Sequence, residues 1–341
     1  MKTLAALVLL ALIGVGAAAY VVNDRVHAPF QGFPPPEQFV DVPAGAGTRA
    51  IGDRLVAAGV VRDSLTFRAA LWLSGDARRL KAGEYRFDRA STPLEVLGKM
   101  ARGEVYVVSV TFPEGLTIAE MAKIAEAHGF GPRAAFIAAA RDHALVAAID
   151  PTARDLEGYL FPDTYLLPRK TDAAHLVRLM VERFDKAFTP ALRDAVRARG
   201  LSPRQFVTLA SIVERETGRA DERPLVAAVY SNRLKLGMLL QCDPTVIYAL
   251  MQAGTYDGNI RRTDLAVDSP YNTYRVAGLP PGPIASPGRG SLEAAAHPAD
   301  ADFLYFVSRN DGSHVFARSL DEHNRNVQKF QVEYFRNRVG K

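Results

Sequence analysis

The chain has 341 residues, enough for two domains and a sizeable core. Its 48% hydrophobic and 23% charged residues exclude a disordered chain, and a single cysteine, Cys242, excludes an intrachain disulfide. The net charge of +5 leans toward acidic partners, but no basic patch is interleaved with aromatics, so nucleic acid is not an expected partner.

Leu4 to Val22 carries no charge over nineteen residues, with Lys2 before it and Asp24 and Arg25 after it. That length just spans a bilayer. A signal peptide cleaved after Ala17-Ala18-Ala19 is the rival reading, but the apolar core is long for one, so residues 1–23 are read as a retained transmembrane anchor. Lys2 assigns the N-terminus to the cytoplasm and the rest of the chain to the other side. Residues 24–38, with Pro34-Pro35-Pro36, read as a linker.

Phe39 to Val42 then reads as a strand, leading through Pro43-Ala44-Gly45 into a helix from Thr48 to Ala58 that Gly59 ends. A second copy runs from Val110 to Phe112 through Pro113-Glu114-Gly115 into a helix ended by Gly129, and Ile51 corresponds to Met121. Between the copies, a helix from Leu65 to Leu73 with Asp63 or Ser64 as cap, a strand from Gly83 to Phe87, a helix from Leu94 to Met100 and a strand from Val105 to Val110 complete a small module. Phe130 to Ile149 is alanine-rich and reads as helix. The segment Leu156-Glu157-Gly158-Tyr159-Leu160-Phe161-Pro162-Asp163-Thr164-Tyr165 packs aromatics around Gly158 and Pro162. Helices follow from Ala173 to Phe188, Pro190 to Arg199 and Pro224 to Lys235, and another opens with Asp243 as cap and Pro244 in its first turn.

Ser202 to Gly218 is a helix with both ends written in: Ser202 and Gln205 form a capping box, Pro203 suits the first helical position, and Gly218 stops it. On a wheel of about 100° per residue, Phe206, Val207, Leu209, Ala210, Ile212 and Val213 share a broad face, with Arg204, Thr208, Ser211 and Arg215 opposite. Glu214 falls inside the apolar arc and Glu216 at its other edge, their directions about 200° apart. A carboxyl on a packed surface is costly unless it is paired, hydrogen-bonded or protonated. Protonation would make a general acid, whereas pairing with an arginine would make a structural residue.

Asp268 to Gly290 carries five prolines and four glycines and reads as a long functional loop, one wall of a groove. Phe303 to Val307 and His314 to Ala317 form a hairpin around Asn310-Asp311-Gly312, and a last helix from Asp321 is expected to bury Val327, Phe330 and Tyr334.

The seven histidines are scattered, no cysteine-protease signature surrounds Cys242, and phosphate-loop and serine-elbow motifs are absent, so no metal and no cofactor is expected. Acid chemistry on a glycosidic bond remains. Two glutamates on one helix cannot face each other across that bond, but one carboxyl suffices where the substrate supplies its own nucleophile, as the 6-hydroxyl of N-acetylmuramic acid can.

Several long stretches, in order, resemble one family. They are 156–165 as above, Ala210-Ser211-Ile212-Val213-Glu214-Arg215-Glu216-Thr217, Ser231-Asn232-Arg233-Leu234, Leu240-Gln241-Cys242-Asp243-Pro244-Thr245, Pro270-Tyr271-Asn272-Thr273-Tyr274, Gly278 to Ile284, and the late His314 and His323. Together they resemble the YceG-like endolytic murein transglycosylases over nearly the whole chain after the anchor. The resemblance implies an α+β protein with an N-terminal transmembrane helix, a small LysM-like α/β module at 39–109 and a catalytic domain at 110–337. It implies a lyase of the inner membrane, single-pass, with most of the chain periplasmic. Such an enzyme cuts nascent peptidoglycan strands internally to a 1,6-anhydro end and acts as a terminator of glycan elongation. Peptidoglycan strands, the lipid bilayer and cell-wall synthases are the implied partners. The resemblance points to Glu214 as the catalytic acid/base. Gln241, Asp243, Tyr271, Asn272, Thr273, Tyr274 and His314, then Glu216 and Glu157, are candidate substrate-binding residues. Cys242 departs from the pattern, where a small polar residue is expected. Two other functions stay open: a non-catalytic glycan-binding scaffold, which needs no carboxylic acid on a packed face, and a muramidase-type hydrolase, which needs a second carboxylate such as Asp243 across the groove.

Overall fold

The fold is known from a computed structural model, which describes residues 2–339. The chain divides into two compact units, one made of Met1–Val108 with Leu166–Arg169 and the other of Ser109–Tyr165 with Lys170–Lys341. Each is a mixture of helices and short strands, and the whole is an α+β protein.

In the first unit α1 (Lys2–His27) is followed by β1 (Gln38–Val42), α2 (Thr48–Ala57), α3 (Ser64–Ser74), β2 (Gly83–Phe87) and α4 (Pro93–Arg102). β1 and β2 pair antiparallel with Val40 opposite Tyr85. Val40, Val42, Tyr85 and Phe87 point from that sheet onto Ile51, Leu55, Phe67, Ala70, Leu97 and Met100 of the helices, forming one core. Asp63 caps α3 by accepting from the Thr66 N–H, and Thr92 with Glu95 forms a capping box on α4. α1 leaves Leu9, Leu10, Leu12, Ile13 and Val15 exposed, while Val26 in its last turn is buried in the core of this unit. Among the described residues it is the one helix long and apolar enough to cross a membrane.

The second unit holds most of β3 (Val108–Thr111), the first half of β4 (Thr164–Leu167), and α5 (Ile118–Ala127), α6 (Arg133–Ala139), α7 (Ala173–Ala187), α8 (Pro190–Ala198), α9 (Pro203–Glu216), α10 (Arg223–Lys235), α11 (Asp243–Ala253) and α12 (Arg289–Ala296). The hairpin of β5 (Tyr305–Ser308) and β6 (His314–Ala317) and the helices α13 (Leu320–Val327) and α14 (Tyr334–Val339), joined by a π-helical turn, complete it. α9 is the centre: Phe206 to Val213 are all buried, and α8, α10, α11 and α12 pack around it. The strand–turn–helix pattern recurs locally in β1–α2 and β3–α5. Gly45 and Gly115 hold φ of 77° and 78° in the turns, and Ile51 and Met121 are both buried.

The structure corrects several expectations. On the side of α9 opposite its apolar face Thr208 and Ser211 are buried too, with the Ser211 hydroxyl donating to the Thr208 carbonyl and accepting from the Ile284 N–H at 3.0 Å. Residues 282–288 of the proline-rich loop are buried against that side. The alanine-rich stretch 130–149 is only the short α6 and a 3₁₀ turn, since Gly131 sits at φ 103° before Pro132 and restarts the chain. Thr164–Leu167, which overlaps the end of the 156–165 segment and carries no strand expectation, is a strand, its four residues alternating exposed and buried. α12 had no sequence expectation at all. The strand expected from Val105 to Val110 runs instead from Val108 to Thr111 and pairs with β4, not with the β1–β2 sheet. Val327, Phe330 and Tyr334 are only half-buried, because the helix widens to a π-turn between them. Asp243 is not a cap: Cys242 occupies the cap position without a side-chain bond, and the Asp243 carboxylate is left free for another partner.

Candidate active site

The two glutamates of α9 go to different places. Glu214 turns into a packed network: its Oε2 accepts from the Gly288 N–H at 2.9 Å and its Oε1 lies 3.4 Å from Arg223 Nη2, with only 6% of the side chain exposed. Arg223 also reaches Glu114 at 3.3 Å, and burial pushes the Glu114 carboxyl up from its ordinary range, with the Glu214 charge adding to the rise. Arg215 donates to the Gly115 carbonyl, and Gly115 N–H donates to the Ser286 carbonyl, so this network ties α9 to the turns on either side of it.

Glu216 instead opens on a cleft of about 310 Å³ lined by Glu216, Tyr230, Arg233, Leu240, Gln241, Asp243, Tyr274, Phe306 and His323. The Tyr230 hydroxyl donates to Glu216 Oε1 at 2.5 Å. Burial pushes the Glu216 carboxyl up from the carboxylate range. The neighbouring Asp243 charge adds to that rise, while the Cys242 thiol, the Tyr230 hydroxyl and His314 pull it back. Asp243 Oδ1 accepts from the Tyr274 hydroxyl at 2.6 Å, which fixes the second carboxylate of the cleft on the first turn of α11. Gln241 holds φ at 49°, a left-handed position for a residue that is not glycine, and its N–H donates to the Thr273 carbonyl at 3.0 Å. Arg233 clamps the rim: its guanidinium donates to the carbonyls of Leu304, Leu239 and Leu240. His323 stacks on Tyr305 at 5.2 Å, its Nδ1 is buried with no hydrogen bond among the described residues, and burial lowers its pKa, with the Arg233 charge adding to the fall.

Of the residues singled out from sequence, Glu216, Gln241, Asp243 and Tyr274 come together here. Asn272 and Thr273 lie behind the wall. The Asn272 amide donates to the Leu265 and Val267 carbonyls, and Thr273 Oγ1 accepts from the Cys242 N–H. Both are fully buried, so they shape the loop and do not line the cleft. His314 pairs with Glu222, its Nδ1 2.7 Å from Oε2, and sits edge-on to the cleft-lining Phe306. Tyr271 packs against Tyr248 at 4.9 Å, away from Tyr274. Glu157 is buried on the first N–H of α5 and against Tyr248, and does not line the cleft. Tyr230, Arg233, Phe306 and His323 were not singled out. The Ser231–Leu234 stretch and the late His323, among those carrying the family resemblance, could have pointed to Arg233 and His323, whereas none of those stretches contains Tyr230 or Phe306. Among the described residues, no group of three His, Cys, Asp or Glu is placed to hold a metal ion.

The protein is thus an α+β fold with a cleft around the half-buried Glu216 carboxyl and, among the described residues, one N-terminal helix of bilayer length. The profile of the YceG-like family matches residues 40–329. A Bacillus subtilis protein named endolytic murein transglycosylase is 31% identical over 307 residues, covering 85% of this chain and 84% of that one. A Streptococcus pneumoniae protein of the same name is 30% identical over 320 residues, and the match spans 57% of its greater length. A crystal structure of a YceG-like protein from Listeria monocytogenes superposes with a TM-score of 0.58 at 32% identity, covering 85% of this chain and 98% of that one. The chain belongs to the YceG-like family.

Proposed function

We propose that this chain is a peptidoglycan lytic transglycosylase. It cuts the MurNAc–GlcNAc β-1,4 bond within nascent strands and leaves a 1,6-anhydroMurNAc end, with Glu216 as its one acid and base. The observation that carries the assignment of Glu216 is its place in the cleft: burial and the Asp243 charge favour its protonated form, and Gln241, Asp243 and Tyr274 stand around it. The family resemblance pointed to Glu214. That carboxylate, however, is already engaged by the Gly288 N–H and by Arg223, which suits a structural role.

The reaction balances without water. Glu216 gives its proton to the bridging oxygen, the bond from C1 of MurNAc to that oxygen breaks, and the leaving GlcNAc keeps the oxygen as its 4-hydroxyl. The 6-hydroxyl of the same MurNAc attacks C1, and its proton returns to Glu216, restoring the acid. Asp243 lies in the same cleft as Glu216, so its charge favours the developing positive charge at C1. The name carried by the relatives supports transglycosylation over hydrolysis, and a glycan-binding scaffold has no use for a carboxyl whose proton affinity is raised in a cleft.

The surrounding reading follows. α1 anchors the chain in the inner membrane, N-terminus inside, with most of the chain periplasmic. Residues 39–109 form a LysM-like glycan-binding module and 110–337 the catalytic domain. Strand termination places the protein beside cell-wall synthases. Mass spectrometry of glycan digested by the pure protein tests the reaction, with fragments ending in 1,6-anhydroMurNAc expected. Reducing MurNAc ends would make the protein a muramidase, and intact strands would leave the scaffold.

A further inference from the structure

The active cleft leaves one surface of the first unit without a task. On α3, Leu65, Arg68 and Trp72 recur at i, i+3 and i+7 and therefore share a face. Trp72 is 82% exposed and Leu65 53%, with Leu73 at 49% beside them. The other side of the same helix is a good core face, with Thr66, Phe67 and Ala70 buried. The fold is thus satisfied without the outer apolar residues, and an exposed apolar stripe of this kind marks a contact. Trp72 is the only tryptophan of the chain.

What covers the stripe is indicated by what α3 is packed on. Val22 and Val26 of α1 belong to the same core as Phe67 and Ala70. Arg25 of α1 reaches Asp63, the cap of α3, at 3.4 Å. The stripe is therefore fixed to the last turns of the helix that is long and apolar enough to cross a bilayer. At the end of a span lies the interface, where tryptophan is enriched because its ring is apolar and its N–H is polar. Arg68 on the stripe and Arg78 just past the helix are exposed cations of the sign that anionic headgroups attract.

We propose that the outer face of α3 lies in the membrane interface, with Trp72 and Leu65 at the boundary of headgroups and acyl chains and Arg68 on the lipid phosphates. The first unit then holds the membrane by a second contact besides α1. This rests on reading α1 as a membrane anchor.

The sole tryptophan makes the test direct. The full chain is placed in vesicles of phosphatidylethanolamine and phosphatidylglycerol doped with brominated phosphatidylcholine, and its co-flotation and tryptophan emission are measured. The expected result is co-flotation with emission quenched roughly twofold by the bromines, more by shallow than by deep ones, and little quenched by aqueous iodide. Co-flotation with emission open to iodide and untouched by bromine would overturn the interfacial contact and leave the anchor standing. Emission shielded from both quenchers would assign the stripe to a second copy or another protein and would equally overturn it. Failure to float would remove the anchor and this contact together. None of these outcomes bears on the chemistry at Glu216.

Discussion

Glu157 offers the most quantitative prediction. It is 6% exposed, its Oε1 accepts from the Ile118 N–H at 3.1 Å, and the Tyr248 hydroxyl lies 3.3 Å from Oε2. Burial pushes its carboxyl from 4.5 up to about 8, and the charges of Asp155 and Glu120 add to the rise, while the Ile118 and Tyr248 hydrogen bonds oppose it. Its affinity for the proton is thus higher folded than unfolded. The stability it contributes is complete below about pH 4.5 and is lost as pH rises through about 8. At about 1.36 kcal/mol per pKa unit, the full loss is on the order of 5 kcal/mol. Glu157→Gln keeps an oxygen for the Ile118 N–H and removes the titration. Denaturant unfolding across that pH window should therefore show the wild type losing stability more steeply than the variant, with the variant at least as stable at the alkaline end. Glu114 and Glu216 titrate with the same sign in both proteins, so the difference between the curves isolates Glu157. Parallel curves would refute the reasoning.

Three further outcomes follow from the site. Asp243→Asn removes a charge that raises the proton affinity of Glu216, so the alkaline fall of the cleavage rate should move to lower pH; an unmoved alkaline limb in the rate profile would contradict it. Gly288→Ala puts a methyl group where the Glu114 carboxyl lies, but that carboxyl is the end of a side chain 44% exposed and can swing aside, so thermal unfolding should change by less than about 1 kcal/mol; a larger loss would mean that the Glu114 position is fixed. Tyr274→Phe releases Asp243 from its hydrogen bond and should raise KM with little change in Tm. Tyr271→Ala should do the reverse, since that ring packs on Tyr248; steady-state kinetics and melting of both variants decide.

How far the sequence could be read depended on range. The start of α9 was legible because Ser202, Gln205 and Pro203 act within one turn, and the capping box forms as expected, whereas the helix ends on an extended Thr217 and Gly218 is not a left-handed stop. The buried polar side of the same helix was not, because Ile284, seventy-three positions away, supplies the partner of Ser211. The two glutamates show the limit most clearly. Their different directions followed from helical spacing, but their environments depend on Gly288 and Arg223 on one side and Tyr230 and Asp243 on the other. Asn272 and Thr273 look like sugar binders by residue type, yet their side chains hold the backbone at 265–267 and 242. The single-residue alternation of β4 was hidden by the aromatic residues around it.

The most direct measurement is the release of anhydro-muropeptides by Glu216→Gln and Glu214→Gln, taken with thermal unfolding on the same preparations. Glu216→Gln should fold and lose cleavage by about 10²–10⁴-fold, as befits a lost general acid. Glu214→Gln should keep most of its cleavage and lose about 1–3 kcal/mol of stability, since it weakens the tie to Arg223 inside a packed network. A folded Glu216→Gln protein that still releases anhydro ends would contradict the account. So would a Glu214→Gln protein of wild-type Tm that is silent, which would return the acid to Glu214.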